Sequence, residues 1–298
     1  MLYTNASDID FTKHKRLFVI GCSFTSWIWP TWADAIHKEH PHLEFRNFGT
    51  AGCGNDYMLT MLSQLTHEYA LGEEDLVMIM WSSFHRLSSY RAYNTDYDLK
   101  EAIINPASVL TEHDIHPVTW NWRSQHDHIG LLSLNTGPSY QSFCDRGFLI
   151  RDLAVIDTVT TVMEQSAYSG AYMLSVAVDK QDVFDNTSPK TWSADVLKLY
   201  NHIHNKQLGS ALFDVTGFTT LDTPKIHWAE PHPADDYHPT AIQYCNYLKE
   251  LGFSISTETE LYCKHHDDKV DATLDANILI DDPNWHYDFR NGNQKYPL

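Results

Sequence analysis

The sequence predicts an α/β fold built on a parallel sheet, and three observations support this prediction. Short apolar runs of strand length alternate with segments whose apolar residues recur at helical spacing. The runs at residues 17–20 and 76–81 are apolar throughout, as is typical of parallel strands that are buried on both faces. Turns rich in Gly and Ser follow the first two strand candidates, at the edge where open α/β sheets bind ligands.

Strands and helices alternate along most of the chain. Strands are predicted at residues 16–20, 43–47, 76–81, 171–178 and 212–215. Helices are predicted at residues 30–37, 55–69, 151–165, 192–204 and 240–251. Pro30 suits the first turn of a helix, Asn55 or Asp56 suits an N-cap, and Gly252 suits a C-terminal cap. The β-α-β-α-β order over residues 16–81 favours right-handed crossovers in a parallel sheet.

Three segments lie outside this pattern. Residues 1–15 are expected to form an irregular arm. Residues 85–148 are rich in Tyr, His, Trp, Asn and Ser, and they predict an insertion or lid, because long structureless stretches are uncommon within a compact domain. Residues 255–298 are acidic apart from an apolar run at 276–280, and predict a C-terminal arm that packs on the body or on a partner, such as a second copy. We therefore expect one domain at residues 1–254, followed by this arm.

Composition excludes several classes of partner. The formal net charge of -18 over 298 residues disfavours binding to nucleic acid or to anionic membranes. No apolar stretch approaches the length of a membrane span, and the N-terminal residues lack the basic and apolar regions of a signal peptide. The five cysteines are scattered, which favours free thiols in a reducing compartment. The expected location is therefore cytoplasmic or virion-associated.

The first candidate for chemistry is Ser23, in the run GCSFT at residues 21–25. A strand that stops at Gly-x-Ser can present a serine hydroxyl at the carboxyl edge of a sheet. Gly and Ser are also ordinary turn residues, so this motif needs a base and an acid elsewhere in the chain. The adjacent Cys22 is expected to be a small buried side chain, because alternate residues at a strand end point away from the site.

The second candidate is the pair Asp235 and His238, which precedes the last predicted helix of the domain. An Asp three residues before a His can hold the imidazole in the tautomer that accepts a proton from a serine. The alternative interpretation is structural: Asp235 caps the helix, His238 is exposed, and Pro239 occupies the first helical turn. The presence of Ser23 earlier in the chain, as a candidate nucleophile for this Asp–His pair, favours the catalytic interpretation.

These segments resemble the GDSL/SGNH hydrolase superfamily, whose sequence blocks follow the same order. The run GCSFT at residues 21–25 matches the first block, with Cys22 where the family usually has Asp. The run NFGTAG at residues 47–52 matches the second block, and Gly52 falls on its oxyanion-hole glycine. The run DDYHP at residues 235–239 matches the last block.

The resemblance covers about residues 16–84 and 150–252, and it implies a flavodoxin-like three-layer α/β/α fold. It also implies acyl transfer, in which His238 accepts the proton of Ser23 and Asp235 stabilises the imidazolium. This chemistry needs no metal and no cofactor. The expected substrate is a small acyl ester, such as an O-acetyl group on a carbohydrate.

The third block departs from the family pattern. The family has Gly-x-Asn-Asp after the third strand, and its Asn donates to the oxyanion, whereas this chain has Ser83 at that position. The resemblance therefore implies an oxyanion hole formed by the N–H groups of Ser23 and Gly52 and a donor at Ser83, with Arg86 as an alternative compensating group. Loss of one such donor typically costs about 10²–10³ in turnover. Candidate substrate contacts are Trp27, Asn55, Trp81 and Arg86.

Two classes of function therefore stay open. The first is a serine esterase. The second is an SGNH-fold module without catalysis, which serves as a carbohydrate-binding or structural component, for example of a virion. Two further interpretations have weaker support, since His227, His232 and His238 match no compact metal motif and residues 49–54 carry no nucleotide-binding pattern.

Overall fold

The computed structural model of the chain describes residues 1–27, 29–50, 53–82, 87–91, 127–131, 145–175, 193–216 and 238–271. Its strands are β1 (Arg16–Gly21), β2 (Glu44–Gly49), β3 (Asp75–Trp81), β4 (Leu87–Arg91), β5 (Asp127–Leu131) and β6 (Ser169–Leu174). Four of them form a parallel sheet in the order β2-β1-β3-β6, and β4 pairs with β5 in a separate antiparallel ribbon. The predicted α/β class with a parallel sheet is confirmed.

Helices connect and cover the strands of the parallel sheet. They are α1 (Trp32–Glu39), α2 (Asn55–Glu68), α3 (Asp145–Gln165), α4 (Ala194–His204), α5 (Leu212–Thr216), α6 (Ala241–Glu250) and α7 (Thr257–Asp271). The chain moves from β1 to the outer strand β2 through α1, and back to β3 through α2, so right-handed crossovers put α1 and α2 on opposite faces. Helix α3 packs beside α2, whereas α6 and α7 pack beside α1. This arrangement is consistent with a three-layer α/β/α fold.

Strands β1, β3 and β6 carry no alternating pattern because both of their faces are covered. Every residue of β3 and of β6 is buried. Such strands are expected to be continuously apolar rather than alternating. At one end of the sheet, Gly21 is paired with Gly49 and with Met80, so β2, β1 and β3 end at the same edge.

One predicted element is wrong. Residues 212–215 were predicted as a short strand, but they belong to the helix Leu212–Thr216. The N–H groups of Asp214 and Val215 both donate to the carbonyl of Ala211, which closes helical turns. A short apolar run has no resolvable period, so strand and helix cannot be distinguished from it. The burial of Leu212 and Phe213 accounts for the apolar character that suggested a strand.

The N-terminal arm is more regular than predicted. It contains two short 3-10 helices, Ala6–Asp8 and Phe11–Lys13. The backbone of Tyr3 donates to the carbonyl of Gly170 at 2.7 Å, and Gly170 donates to the carbonyl of Met1 at 2.8 Å. The arm thus pairs with β6 at Gly170 and satisfies backbone groups at the start of that strand.

The C-terminal segment begins with helix α7, which lies against α6 and α1. Asp267 accepts hydrogen bonds from the backbone N–H groups of Ala241 and Ile242 at 2.8 and 2.9 Å, and so caps α6. Residues 257–271 of the predicted arm are therefore packed on the body. The apolar run at 276–280 lies outside the described residues, as does most of the predicted insertion at 85–148. None of the described helices is long and apolar enough to cross a membrane.

Candidate active site

The turn that carries Ser23 begins where β1 ends, at the carboxyl edge of the sheet. The N–H groups of Thr25 and Ser26 donate to the carbonyl of Cys22 at 2.9 and 3.3 Å, which closes a tight turn. A side chain at Gly21 would come within 2.0 Å of Thr25 Oγ1, so glycine is the residue that permits this approach. Ser23 is buried in this turn, with only 4% of its surface exposed.

The end of β2 holds this turn in place. Asn47 Nδ2 donates to the carbonyl of Thr25 at 2.8 Å, while Asn47 Oδ1 accepts from the N–H of Gly49 at 2.8 Å. The N–H of Thr50 donates to the carbonyl of Gly21 at 2.9 Å. Sequence reasoning placed Asn47 in the second block but missed this role, which depends on a contact across 22 residues of chain.

His238 lies beside the residues that follow Ser23, among aromatic rings. Its imidazole stacks on the indole of Trp27 with 3.7 Å between ring centroids, and it lies 5.2 Å from the ring of Phe24. Trp29 Nε1 donates to the carbonyl of Pro239 at 2.7 Å, which anchors the backbone next to His238. The two predicted catalytic loops, 215 residues apart in sequence, therefore meet in space.

The predicted proton-transfer hydrogen bond is not formed in this structure. Within the described ranges, no hydrogen bond involves the hydroxyl of Ser23. Asp235, Gly52, Ser83 and Arg86 lie outside those ranges, so their predicted roles stay predictions. Of the predicted triad, the structure thus brings the Ser23 turn and His238 together without pairing their polar atoms.

A buried polar network occupies the carboxyl end of β3. Asn55, the first residue of α2, accepts from the N–H of Ser82 at 2.8 Å through Oδ1. Its Nδ2 group donates to the carbonyl of Ser82 at 3.2 Å and to Asp152 Oδ2 at 2.9 Å. Asn55 is fully buried with its amide engaged at both ends, so it is better described as a positioning residue than as the predicted substrate contact.

Asp152 completes this network from helix α3. Arg151 Nε donates to Asp152 Oδ1 at 2.5 Å, and the Asp152 side chain is fully buried. Burial raises the pKa of Asp152 to about 7, because desolvation disfavours the carboxylate more than Arg151 and Asn55 favour it. Sequence reasoning missed Asp152. The available signal was a charged residue at the helical spacing of the buried positions Ile156 and Val159.

The other predicted contacts differ in accessibility. Trp27 is partly exposed beside His238, whereas Trp81 is fully buried and packs edge-on against Tyr172, with 6.4 Å between ring centroids. Trp81 is therefore a core residue in this structure. Trp32, in helix α1, is also fully buried.

The described cysteines are buried and form no disulfide, namely Cys22, Cys53, Cys245 and Cys263. The expected burial of Cys22 is confirmed, because its side chain has no exposed surface. Among the residues that the structure describes, no group of three or more His, Cys, Asp or Glu side chains is arranged to hold a metal ion.

Comparison of the chain with protein-family models, with curated proteins and with solved structures finds no match in any of the three. The functional interpretation therefore depends on the geometry at the carboxyl edge of the sheet.

Proposed function

We propose that this protein is a serine esterase with an SGNH-type fold, which hydrolyses small acyl esters such as O-acetyl groups on carbohydrate. The observation that supports this most directly is the position of His238 against the Ser23 turn, through its contacts with Trp27 and Phe24. The segments that carry Ser23 and His238 meet at the carboxyl edge of a parallel sheet, where such folds bind ligands.

In the proposed mechanism, Ser23 Oγ attacks the acyl carbonyl while His238 takes the hydroxyl proton. The C–O bond to the leaving alcohol then breaks, and His238 returns the proton to that alcohol. Water repeats the sequence on the acyl-enzyme and releases the carboxylic acid. Asp235 is the proposed orienting acid, and the N–H groups of Ser23 and Gly52 are proposed oxyanion donors.

The missing hydrogen bond between Ser23 and His238 is compatible with this mechanism. Catalytic hydrogen bonds are often long or poorly aligned without substrate and tighten in the substrate complex. Asn47 and Gly21 already hold the serine turn, and Trp29 holds the backbone at Pro239. Both segments that carry the proposed pair are therefore anchored by contacts that do not involve the Ser23 hydroxyl.

One observation favours a second candidate function. The stacking of His238 on Trp27, together with the absence of a Ser23 hydrogen bond in the described residues, is also expected of a module without catalysis. In that case the aromatic rings would bind carbohydrate or form an assembly contact, for example in a virion. The esterase and the module without catalysis would both have these stacked rings. They differ in whether Ser23 reacts as a nucleophile.

The test is covalent labelling by a fluorophosphonate, combined with hydrolysis of p-nitrophenyl acetate. We expect labelling of the wild-type protein and loss of both labelling and hydrolysis in Ser23→Ala. Ser26→Ala is the matched control, because Ser26 lies on the same turn and is more exposed than Ser23. Absence of labelling in folded wild-type protein would favour the module without catalysis.

A further inference from the structure

The hydroxyl of Ser82 is buried without a hydrogen-bond partner at the end of β3. The residue is 1% exposed, and its Oγ atom has no partner among the described residues. An unsatisfied buried hydroxyl is destabilising, because it has lost its hydrogen bonds to water and gained none in the fold. Such groups are rare in native proteins, and a catalytic role is one of the physical reasons for keeping one.

Ser82 directly follows β3, and Ser23 follows the neighbouring strand β1. The last paired residues of β1 and β3 at this edge are Gly21 and Met80. Ser23 and Ser82 each follow two positions later, and neighbouring strands lie roughly 4.8 Å apart. The two serines therefore occupy corresponding positions beyond the ends of adjacent parallel strands.

The backbone of Ser82 is fixed on both sides by one side chain. Its N–H donates to Asn55 Oδ1 at 2.8 Å, and its carbonyl accepts from Asn55 Nδ2 at 3.2 Å. Asn55 is in turn bonded to Asp152, which is held by Arg151. Because the backbone groups of Ser82 are already engaged, its hydroxyl is the group left to donate to a ligand.

A donor with a fixed backbone has the property that oxyanion stabilisation requires. Preorganised donors cost little reorganisation when negative charge develops on the substrate. With the backbone of Ser82 held by Asn55, the side chain can still rotate. Burial limits the directions in which the rotating O–H can find an acceptor.

We propose that the Ser82 hydroxyl donates a hydrogen bond to the oxyanion formed on the Ser23-bound acyl group, and so supplies the donor for which Ser83 and Arg86 were the sequence candidates. This inference rests on the proposed function. Asn55 and Asp152 act as positioning residues, because Asn55 holds the Ser82 backbone and Asp152 holds Asn55.

The test compares Ser82→Ala with a matched variant, Ser175→Ala. Ser175 follows β6, is fully buried, and also has no partner for its hydroxyl among the described residues, but β3 separates its strand from β1. We expect Ser82→Ala to lower kcat for p-nitrophenyl acetate by about 10²–10³-fold, with KM nearly unchanged, because the interaction forms only in the transition state. Ser175→Ala should keep kcat within about threefold of wild type, because a hydroxyl that makes no transition-state interaction does not affect the rate.

Stability provides the second measurement. Removal of an unpaired buried hydroxyl is expected to leave the midpoint of thermal unfolding of Ser82→Ala unchanged or raised, whereas a structural hydroxyl would lower it. Wild-type activity in Ser82→Ala, or equal losses in both variants, would overturn the role of Ser82 and leave the esterase proposal intact. A wild-type protein that neither hydrolyses the ester nor reacts with the fluorophosphonate would overturn both.

Discussion

The imidazole of His238 lies face to face with the indole of Trp27, with 3.7 Å between centroids and 19° between ring planes. Trp29 meets the edge of Trp27 at 6.2 Å and also anchors the backbone carbonyl of Pro239. The residues that follow Ser23 therefore bind the loop that carries the proposed base. One segment of the chain thus presents the proposed nucleophile and positions its partner.

Trp27→Ala is predicted to lower kcat/KM for p-nitrophenyl acetate by about 10-fold or more, because small errors in the placement of a catalytic group are costly. Trp27→Phe keeps an aromatic face for His238 and should recover most of this loss. The measurement is steady-state kinetics on both variants, with thermal unfolding to verify folding. Activity of Trp27→Ala equal to that of wild type would show that the stacking does not position His238.

Asp152→Asn is predicted to flatten the pH dependence of stability. The pKa of Asp152 is about 7 in the folded protein, against an ordinary value of 3.8. Between these values the folded chain binds more protons than the unfolded chain, so the contribution of Asp152 to stability is present at low pH and lost as pH rises towards 7. For wild type this loss is on the order of 2–3 kcal/mol between pH 5 and pH 8.

Urea unfolding of both proteins at the two pH values measures this contribution. The difference between wild type and Asp152→Asn is the relevant quantity, because other groups titrate in the same range. An identical pH dependence in the two proteins would mean that Asp152 is ionised in the fold at pH 5.

His37→Gln is predicted to reduce the loss of stability in mild acid. Burial lowers the pKa of His37 from 6.5 to about 4, and its ring stacks on Phe45 with 4.6 Å between centroids. The unfolded chain therefore takes up a proton that the folded chain excludes, so stability is full above pH 6.5 and falls as pH decreases towards 4. The contribution is on the order of 1–3 kcal/mol.

The check is a comparison of unfolding free energies for wild type and His37→Gln at pH 7.5 and pH 4.5. Glutamine does not titrate, so the variant should lose less stability between the two conditions. An equal loss in both proteins would assign the acid sensitivity to other residues.

Asp267→Ala is predicted to destabilise the fold by about 1–2 kcal/mol, because two N–H groups at the start of α6 lose their acceptor. The adjacent Asp268 is exposed and provides the control, with a change within about 0.5 kcal/mol on Asp268→Ala. Denaturant unfolding distinguishes the two. Equal effects of both substitutions would indicate that α7 contributes through helix content rather than through the cap.

The strands and the Ser23 turn were predictable because their signals are local. A continuous apolar run such as 76–81 indicates a buried parallel strand, and Gly21 before Ser23 indicates a tight turn. Helix α6 was equally clear, since Thr240 and Gln243 form a capping box and Gly252 has a φ of 95° at its end. Each of these depends on residues within a few positions of one another.

The polar network was not predictable for the opposite reason. Asn55 and Asp152 are 97 residues apart, and neither the helix-start position of Asn55 nor the buried helical position of Asp152 identifies the other residue as its partner. The same holds for residues 1–15, whose pairing with Gly170 depends on a strand more than 150 residues later in the sequence. Neighbouring residues in the sequence do not show which strand will lie beside this arm.

The sequence by itself determined the α/β class, the four strands of the parallel sheet in their order along the chain, and the serine and histidine on which the esterase proposal depends. Only the tertiary structure decided that His238 stacks on Trp27, that Asn55 clamps Ser82, and that the Ser82 hydroxyl has no partner among the described residues. The physical reason is that backbone conformation follows from neighbours in sequence, whereas the surroundings of a buried polar group follow from the packing of distant segments.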